Sequence, residues 1–223
     1  MNVEFEFIKL NHISEIHKFP EVSALDSTRE WNLINAIFVP RIIYKEYVIS
    51  KLVKQPDLSG YMISRINENY LLSYLILLLN SGAFRYEHLK AASPTATLNI
   101  TLTLLKNFNI PNIPLTLQSK LSHISTQFLL YKNTKISESD RYFEVKASFF
   151  RMLCDSMVFQ LYHPELFHDN NIDLIGNIDI LFPNDALLDF ESMFKILSSE
   201  SNALIDNAKA FTHYFMNQSN KHK

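Results

Sequence analysis

The chain has little glycine, and that scarcity excludes more than any residue it contains. Among 223 residues only Gly60, Gly82 and Gly176 are glycine. An all-β architecture built on many tight turns needs more, and so does a loop that cradles phosphates, because both rely on backbone angles or close approaches that a side chain obstructs. GxGxxG, a Walker loop and GxSxG are all absent. The single cysteine, Cys154, stands in the apolar run "FFRMLCDSMVF", which leaves no pair for a disulfide and no cluster for zinc. A buried structural thiol is its expected state. Long apolar runs are missing too: "YLLSYLILLLN" is about half of the roughly 20 residues a membrane helix requires. "MNVEFEFIKL" is acidic and alternating, unlike a secretory leader. These absences lead to an expectation of a cytoplasmic protein that needs no cofactor and does not act as an enzyme by itself.

What is present is apolar and unevenly charged. A hydrophobic content of 47% over this length suffices for a substantial core in one large domain or two small ones. The net charge of −2 conceals a pattern: −3 over residues 1–36, +7 over 37–135, where eleven Lys and Arg face four Asp and Glu, and −6 over 136–223. A basic block between acidic flanks suggests a surface for a polyanion.

The periodicities predict an α+β fold, with a mixed strand and helix module over about 1–114 and a mostly helical module over 115–223. "VEFEFI" alternates with period two, as a half-buried strand does. "DSTREWNLINA" begins like a capped helical turn. "AIFVPRIIYKEYVISKLV" is strand-rich, with "YKEY" as a turn and Pro40 consigning the first strand to an edge or a bulge. A further strand is expected after Gly60. An apolar helix follows, capped by Asn67 or Asn69 and ended by Gly82, and then a second helix through Phe84, His88 and Ala91. A short helix capped by Thr101 or Thr103 runs into "NIPNIPL", where Pro111 and Pro114 force the chain out of helix. Long helices are predicted after Leu115, from Glu138 to Tyr162 and from Asp185 to Met216, the last packing through Leu188, Phe194, Leu197, Leu204 and Phe211. "NIDLIGNIDILF" is β-branched enough for a strand or an extended loop.

Chemistry-bearing motifs are sparse. His163 and His168 lie five apart across Pro164, which breaks the one-face geometry of a helical metal pair. Asp57, Glu144 and Lys146 superficially supply the parts of a nuclease site, but at a wide separation and with Glu144 on a helical segment. The basic centre is more informative. Arg41, Lys45, Lys51 and Lys54 alternate with Tyr44 and Tyr47, and Arg65, Arg85 and Lys90 follow. Long cations suit phosphate contact and interleaved aromatics and hydroxyls suit base edges, the division of labour of a module that binds double-stranded DNA.

Three stretches, "FVPRIIYKEYVIS", "GYMISRINENYLLSYLILLLNSGAFRYEHLK" and "LNITLTLLKNFNIPNIPLTLQSKL", resemble in their order the target-recognition, or specificity, domain of bacterial restriction-modification systems. In that family a helix ending near "LNS" leads through a connecting segment to a short helix and an "IPxPP…Q" connector. Here Leu79-Asn80-Ser81, Leu102, Leu105, Ile110-Pro111, Ile113-Pro114 and Gln118 stand in those places. Residues 149–175 are similar to an "IDxMVYELYFPEE" stretch near the C-terminus of adenine methyltransferases and fused restriction-methylation enzymes, through Asp155, Met157-Val158, Leu161-Tyr162 and Pro164-Glu165. The chain departs from the family in lacking the "NPPY"-type motif of the catalytic domain, and Leu115 and Thr116 follow Pro114 where a second proline is usual. The resemblance therefore implies a reader of DNA sequence that serves a separate DNA methyltransferase or restriction subunit, with a second copy needed to read a two-part site. The alternative is an adaptor without its own DNA contact, docking on a methyltransferase through the stripe Leu117, Leu121, Ile124 and Phe128.

Overall fold

The strand β5, "GYMIS" at Gly60–Ser64, organises the first half of the chain. It is flanked by β2 (Glu15–Phe19) and β3 (Ile37–Pro40), both antiparallel to it. Pro40 is the last residue of β3, opposite Gly60 on an outer strand of this sheet, where a missing donor is tolerated. In this register Ile16, Ile63 and Ile37 line up across the three strands on one face and are buried. Burying such a side chain is worth about 1.5–3 kcal/mol, and a slip of one residue would swap the faces of the slipped strand and break this alignment, so the pairing is strongly specified. Gly60 is required at its position because a Cβ there would lie 2.4 Å from the Val39 carbonyl oxygen and 2.6 Å from the Phe38 ring.

This computed structural model describes residues 5–19, 36–43, 59–91, 98–133, 143–181, 195 and 203–219. The chain divides into two compact units, Phe5–Gln118 and, from the next residue, Ser119–Lys223. Among the described residues the first is mixed and the second is helical, so the class is α+β. The expected turn at 44–47, the helical turn at 26–35, and Leu188, Phe194 and Leu197 lie outside the described residues.

In the first unit β1 (Phe7–Lys9) runs into the single turn α1 (Leu10–Ile13), and β4 (Ile42–Ile43) pairs with β6 (Leu98–Asn99). The apolar helix α2 (Leu72–Asn80) is not capped by Asn67 or Asn69. Asn67 Oδ1 accepts instead from the Asn69 amide, and the amide of Leu71, the residue before the helix, is taken by Gln118 Oε1. Gly82 does not end α2 either, but opens α3 (Gly82–Ala91). The junction belongs to Ser81, whose hydroxyl donates to the Leu78 carbonyl and accepts from the Phe84 amide, so one side chain serves both helix ends.

The proline-rich connector is a strand. Thr101 caps α4 (Leu102–Lys106) through the Leu104 amide, and Asn107 and Phe108 lead to β7 (Asn109–Pro111), which pairs antiparallel with β1. Pro111 sits opposite Phe7 at the end of this ladder, and its carbonyl accepts from the buried Tyr74 hydroxyl at 2.9 Å. Burial pushes the Tyr74 phenol up, with Tyr70 adding to the effect, so it remains a donor. The helix α5 (Leu115–Asn133) then starts directly after Pro114. The division between the units falls inside α5 because Gln118, fully buried, bonds back to Leu71, Asn69 and Ile113.

The second unit centres on α6 (Phe143–Tyr162), in which every residue from Leu153 to Leu161 is buried. His163-Pro164 ends it, and Pro164 opens α7 (Pro164–Asp169), where its fixed φ suits the first helical position. The segment expected as a strand or extended loop is a set of turns followed by the short helix α8 (Ile178–Leu181). Its β-branched residues are overruled by side-chain bonding: Gln160 Oε1 accepts from the Leu174 and Ile175 amides, and Asp173 Oδ1 from the Gly176 amide, which occupies donors that a ladder would need. The last described helix, α9 (Ala203–Ser219), packs on α6 through Ile205, Ala208 and Thr212, whereas Leu204 and Phe211 are half-buried. The Thr212 hydroxyl lies 3.0 Å from Ser156 Oγ and 2.8 Å from the Ala208 carbonyl, with one proton to give to either, so the small residues on this seam satisfy one another.

Candidate nucleic-acid interface

Arg41 is exposed, and its backbone is fastened on both sides. Its amide donates to the Ser59 carbonyl at 3.1 Å, and its own carbonyl accepts from the Ile100 amide at 2.8 Å. The first bond closes the base of the segment 44–58, which leaves from β4 and returns to β5. Tyr44, Lys45, Tyr47, Lys51 and Lys54 are all carried by that segment and lie outside the described residues. A cation on a rigid base can be aimed without the loss of main-chain freedom that ordering a loose one entails.

The remaining cations of the sequence reading do not gather around Arg41. Arg65 follows β5 at the opposite end of the sheet, and five strand residues span about 16 Å. Its side chain is 73% exposed, and Nη1 donates to Glu15 Oε1 at 2.8 Å. The other oxygen of Glu15 faces His17 Nε2 at 3.3 Å. Arg65 first, and then His17, holds the Glu15 carboxyl below the usual carboxylate range. That preference for the ionised form is fully in place above the ordinary carboxylate pKa and is lost as the pH falls through the lowered value. Arg85 is half-buried in α3, and Lys90 belongs to the same helix with its side chain outside the described residues. Sequence reading missed three exposed lysines, Lys9, which donates to Asn107 Oδ1 at 3.2 Å, Lys18 on β2 and Lys106 at the end of α4. It also missed Glu15, whose pairing with a residue 50 positions away leaves no local signal.

The charge pattern looks different when counted by folded unit. Phe5–Gln118 holds eleven Lys and Arg against nine Asp and Glu, a net +2, because Lys120, Lys132 and Lys135 of the basic block lie past its end and residues 5–36 contribute −2. Any anion-facing surface therefore rests on local placement of cations and not on the field of the whole unit.

The stripe proposed for docking is not an open face. Leu121 and Ile124 are each 1% exposed, Leu117 is half-buried, and the Phe128 side chain lies outside the described residues. A side chain already enclosed by its own chain has no apolar surface to offer a partner, so the helical period here marks core.

Of the residues weighed above for metal or nuclease chemistry, only His163 and His168 have described side chains. His163 stacks on Phe159, while His168 is exposed beside Asp169, on either side of the break at Pro164. Among the described residues no three His, Cys, Asp or Glu side chains are grouped for a metal. Asp57 and the side chains of Glu144 and Lys146 lie outside the described residues. Cys154 is buried, and burial first and Asp155 second push its thiol up. The folded chain is accordingly expected to leave a disulfide reagent such as DTNB unreacted at pH 8, with one thiol titrating in denaturant. Rapid reaction of the native chain would contradict the packing of α6.

No helix among the described residues is long and apolar enough to cross a membrane. No protein-family model, curated protein or solved structure matches the chain.

Proposed function

We propose that the chain is a DNA-binding specificity module of a restriction-modification system, which contacts duplex DNA in the cytoplasm and supplies sequence preference to a separate methyltransferase or nuclease. The observation that carries this reading is the anchoring of Arg41 at the base of a segment with three lysines and two tyrosines. Phosphate contacts from Arg41, Lys45 and Lys51 set the register on the duplex, and Tyr44 and Tyr47 supply rings and hydroxyls for the grooves. The order of the resembling segments supports the same reading, and the absence of an "NPPY"-type motif leaves the chemistry to a partner.

Fluorescence anisotropy of the full chain with a pool of duplex DNA at two salt concentrations tests it. Affinity is expected to fall steeply with salt, and changing Arg41, Lys45 and Lys51 together to Ala is expected to weaken binding by about tenfold or more while lowering the salt slope by roughly 0.9 for each contact removed. Binding that is absent, or indifferent to salt, would overturn the reading.

A further inference from the structure

Arg65 is in an unusual position for an arginine. Its φ is 49°, in the left-handed region, and the other described non-glycine residue with positive φ is an asparagine, Asn171. Asparagine tolerates this conformation and arginine does so poorly, because its Cβ crowds the neighbouring carbonyl. The turn does not require an arginine side chain: the amide of Asn67 closes it on the Ile13 carbonyl at 2.7 Å, and the Tyr70 amide bonds back to Asn67. Packing does not require one either, since the side chain is 73% exposed. Its one described hydrogen-bond partner, Glu15, is itself 46% exposed, and an ion pair so open to water adds little to stability. A disfavoured backbone that neither packing nor pairing explains points to a task outside the fold.

We propose that Glu15 is an internal stand-in for a DNA phosphate, holding the Arg65 guanidinium until a duplex phosphate displaces it, so that Arg65 is a phosphate contact of the recognition surface; this rests on the DNA-binding reading above. A carboxylate and a phosphate present the same paired oxygens to the guanidinium fork. Exchange is inexpensive because Glu15 and Arg65 are both solvated before it. Glu15 also keeps a partner after it, since its second oxygen remains with His17 on the same strand. The pre-formed contact orders a long side chain in advance, which reduces the entropy lost on binding. The other charged groups nearest along the chain, Lys18 on β2 and Glu68 in the turn, are exposed.

Duplex binding by the full chain carrying Arg65→Asn, Glu15→Gln, both changes, or Glu68→Gln tests the proposal. Asparagine suits the left-handed backbone, so Arg65→Asn is expected to melt no lower than the native chain, yet to bind about fivefold more weakly with a salt slope reduced by about 0.9. Glu15→Gln is expected to tighten binding about threefold without changing the slope, to lose that gain in the Arg65→Asn background, and to exceed the effect of Glu68→Gln. If Glu68→Gln matches Glu15→Gln, or the gain survives without Arg65, only general charge is at work and the stand-in role is wrong. If Arg65→Asn binds normally while the Arg41, Lys45 and Lys51 changes weaken binding, Arg65 is off the surface and the DNA-binding reading stands without it. A native chain that binds no duplex overturns both.

Discussion

Phe84→Ala is expected to lower the unfolding free energy by about 3–5 kcal/mol, the largest single-residue effect in the first unit. Phe84 is fully buried at the start of α3, and its ring meets the edge of Phe108 at 4.9 Å and 81°. Phe108 sits between α4 and β7, so this contact holds a helix of the central segment against the connector. Truncation removes the transfer term and leaves a cavity that Phe108, itself only 5% exposed, has little freedom to refill. Phe84→Leu keeps much of the volume and should lose well under half as much. Because the rings touch, the double change with Phe108→Ala should be less than additive, by about 0.5–1.5 kcal/mol. Denaturant midpoints at unchanged slope are the measurement. A loss of under 1 kcal/mol for Phe84→Ala would mean that the site collapses freely and that the ring contact does not hold the connector.

Gln118→Ala is expected to cost about 3 kcal/mol, through groups left unpaired more than through lost packing. The side chain is 0% exposed and makes three bonds: Oε1 accepts from the Leu71 amide at 2.8 Å, and Nε2 donates to the Asn69 and Ile113 carbonyls at 2.9 Å each. A buried polar group without a partner carries a penalty of about 1–3 kcal/mol, and the amide is the most exacting of the three. Gln118→Glu separates polarity from packing, since it keeps the acceptor for Leu71 but turns an oxygen toward two carbonyls. Burial and those carbonyls raise the pKa of the new carboxyl in the folded state. Its deficit against the native chain should therefore be greatest near neutral pH and should shrink as the pH falls toward about 4, where the protonated acid can donate again. A deficit independent of pH would show that the carboxyl escapes to solvent and that Gln118 is not the enclosed clasp described.

Gln118 also marks where sequence reading stops. Its place after the Ile-Pro pairs was visible as part of a motif, and the prolines showed that the chain must leave helix between Lys106 and Leu115. What the motif accomplishes was not visible, because its partners are set by the fold. Leu71 is 47 residues away, and nothing near α2 announces that its first amide is met from outside, so Asn67 and Asn69 were the natural choices for a cap. The opposite case is Thr101, which caps α4 through an amide three residues on, a distance at which sequence is informative. The docking stripe shows a third limit. A period of 3.6 identifies an apolar face but not what covers it, and in α5 the protein's own chain encloses Leu121 and Ile124.

The sequence alone determined the α+β class, a Pro40 suited to an edge or a bulge, the break between α6 and α7 at Pro164, a short helix capped at Thr101 or Thr103 and a helix after the Ile-Pro pairs, because proline geometry, capping and hydrophobic period act within a few residues. Tertiary structure decided the rest. It paired residues 7–9 with 109–111, turned a β-branched segment into turns under Gln160 and Asp173, and placed Arg41 and Arg65 at opposite ends of one sheet. It also set Glu15 against Arg65. Each of these outcomes depends on a hydrogen-bond partner or a packed neighbour supplied from a distant part of the chain, and local propensity carries no record of which one the folded backbone will bring.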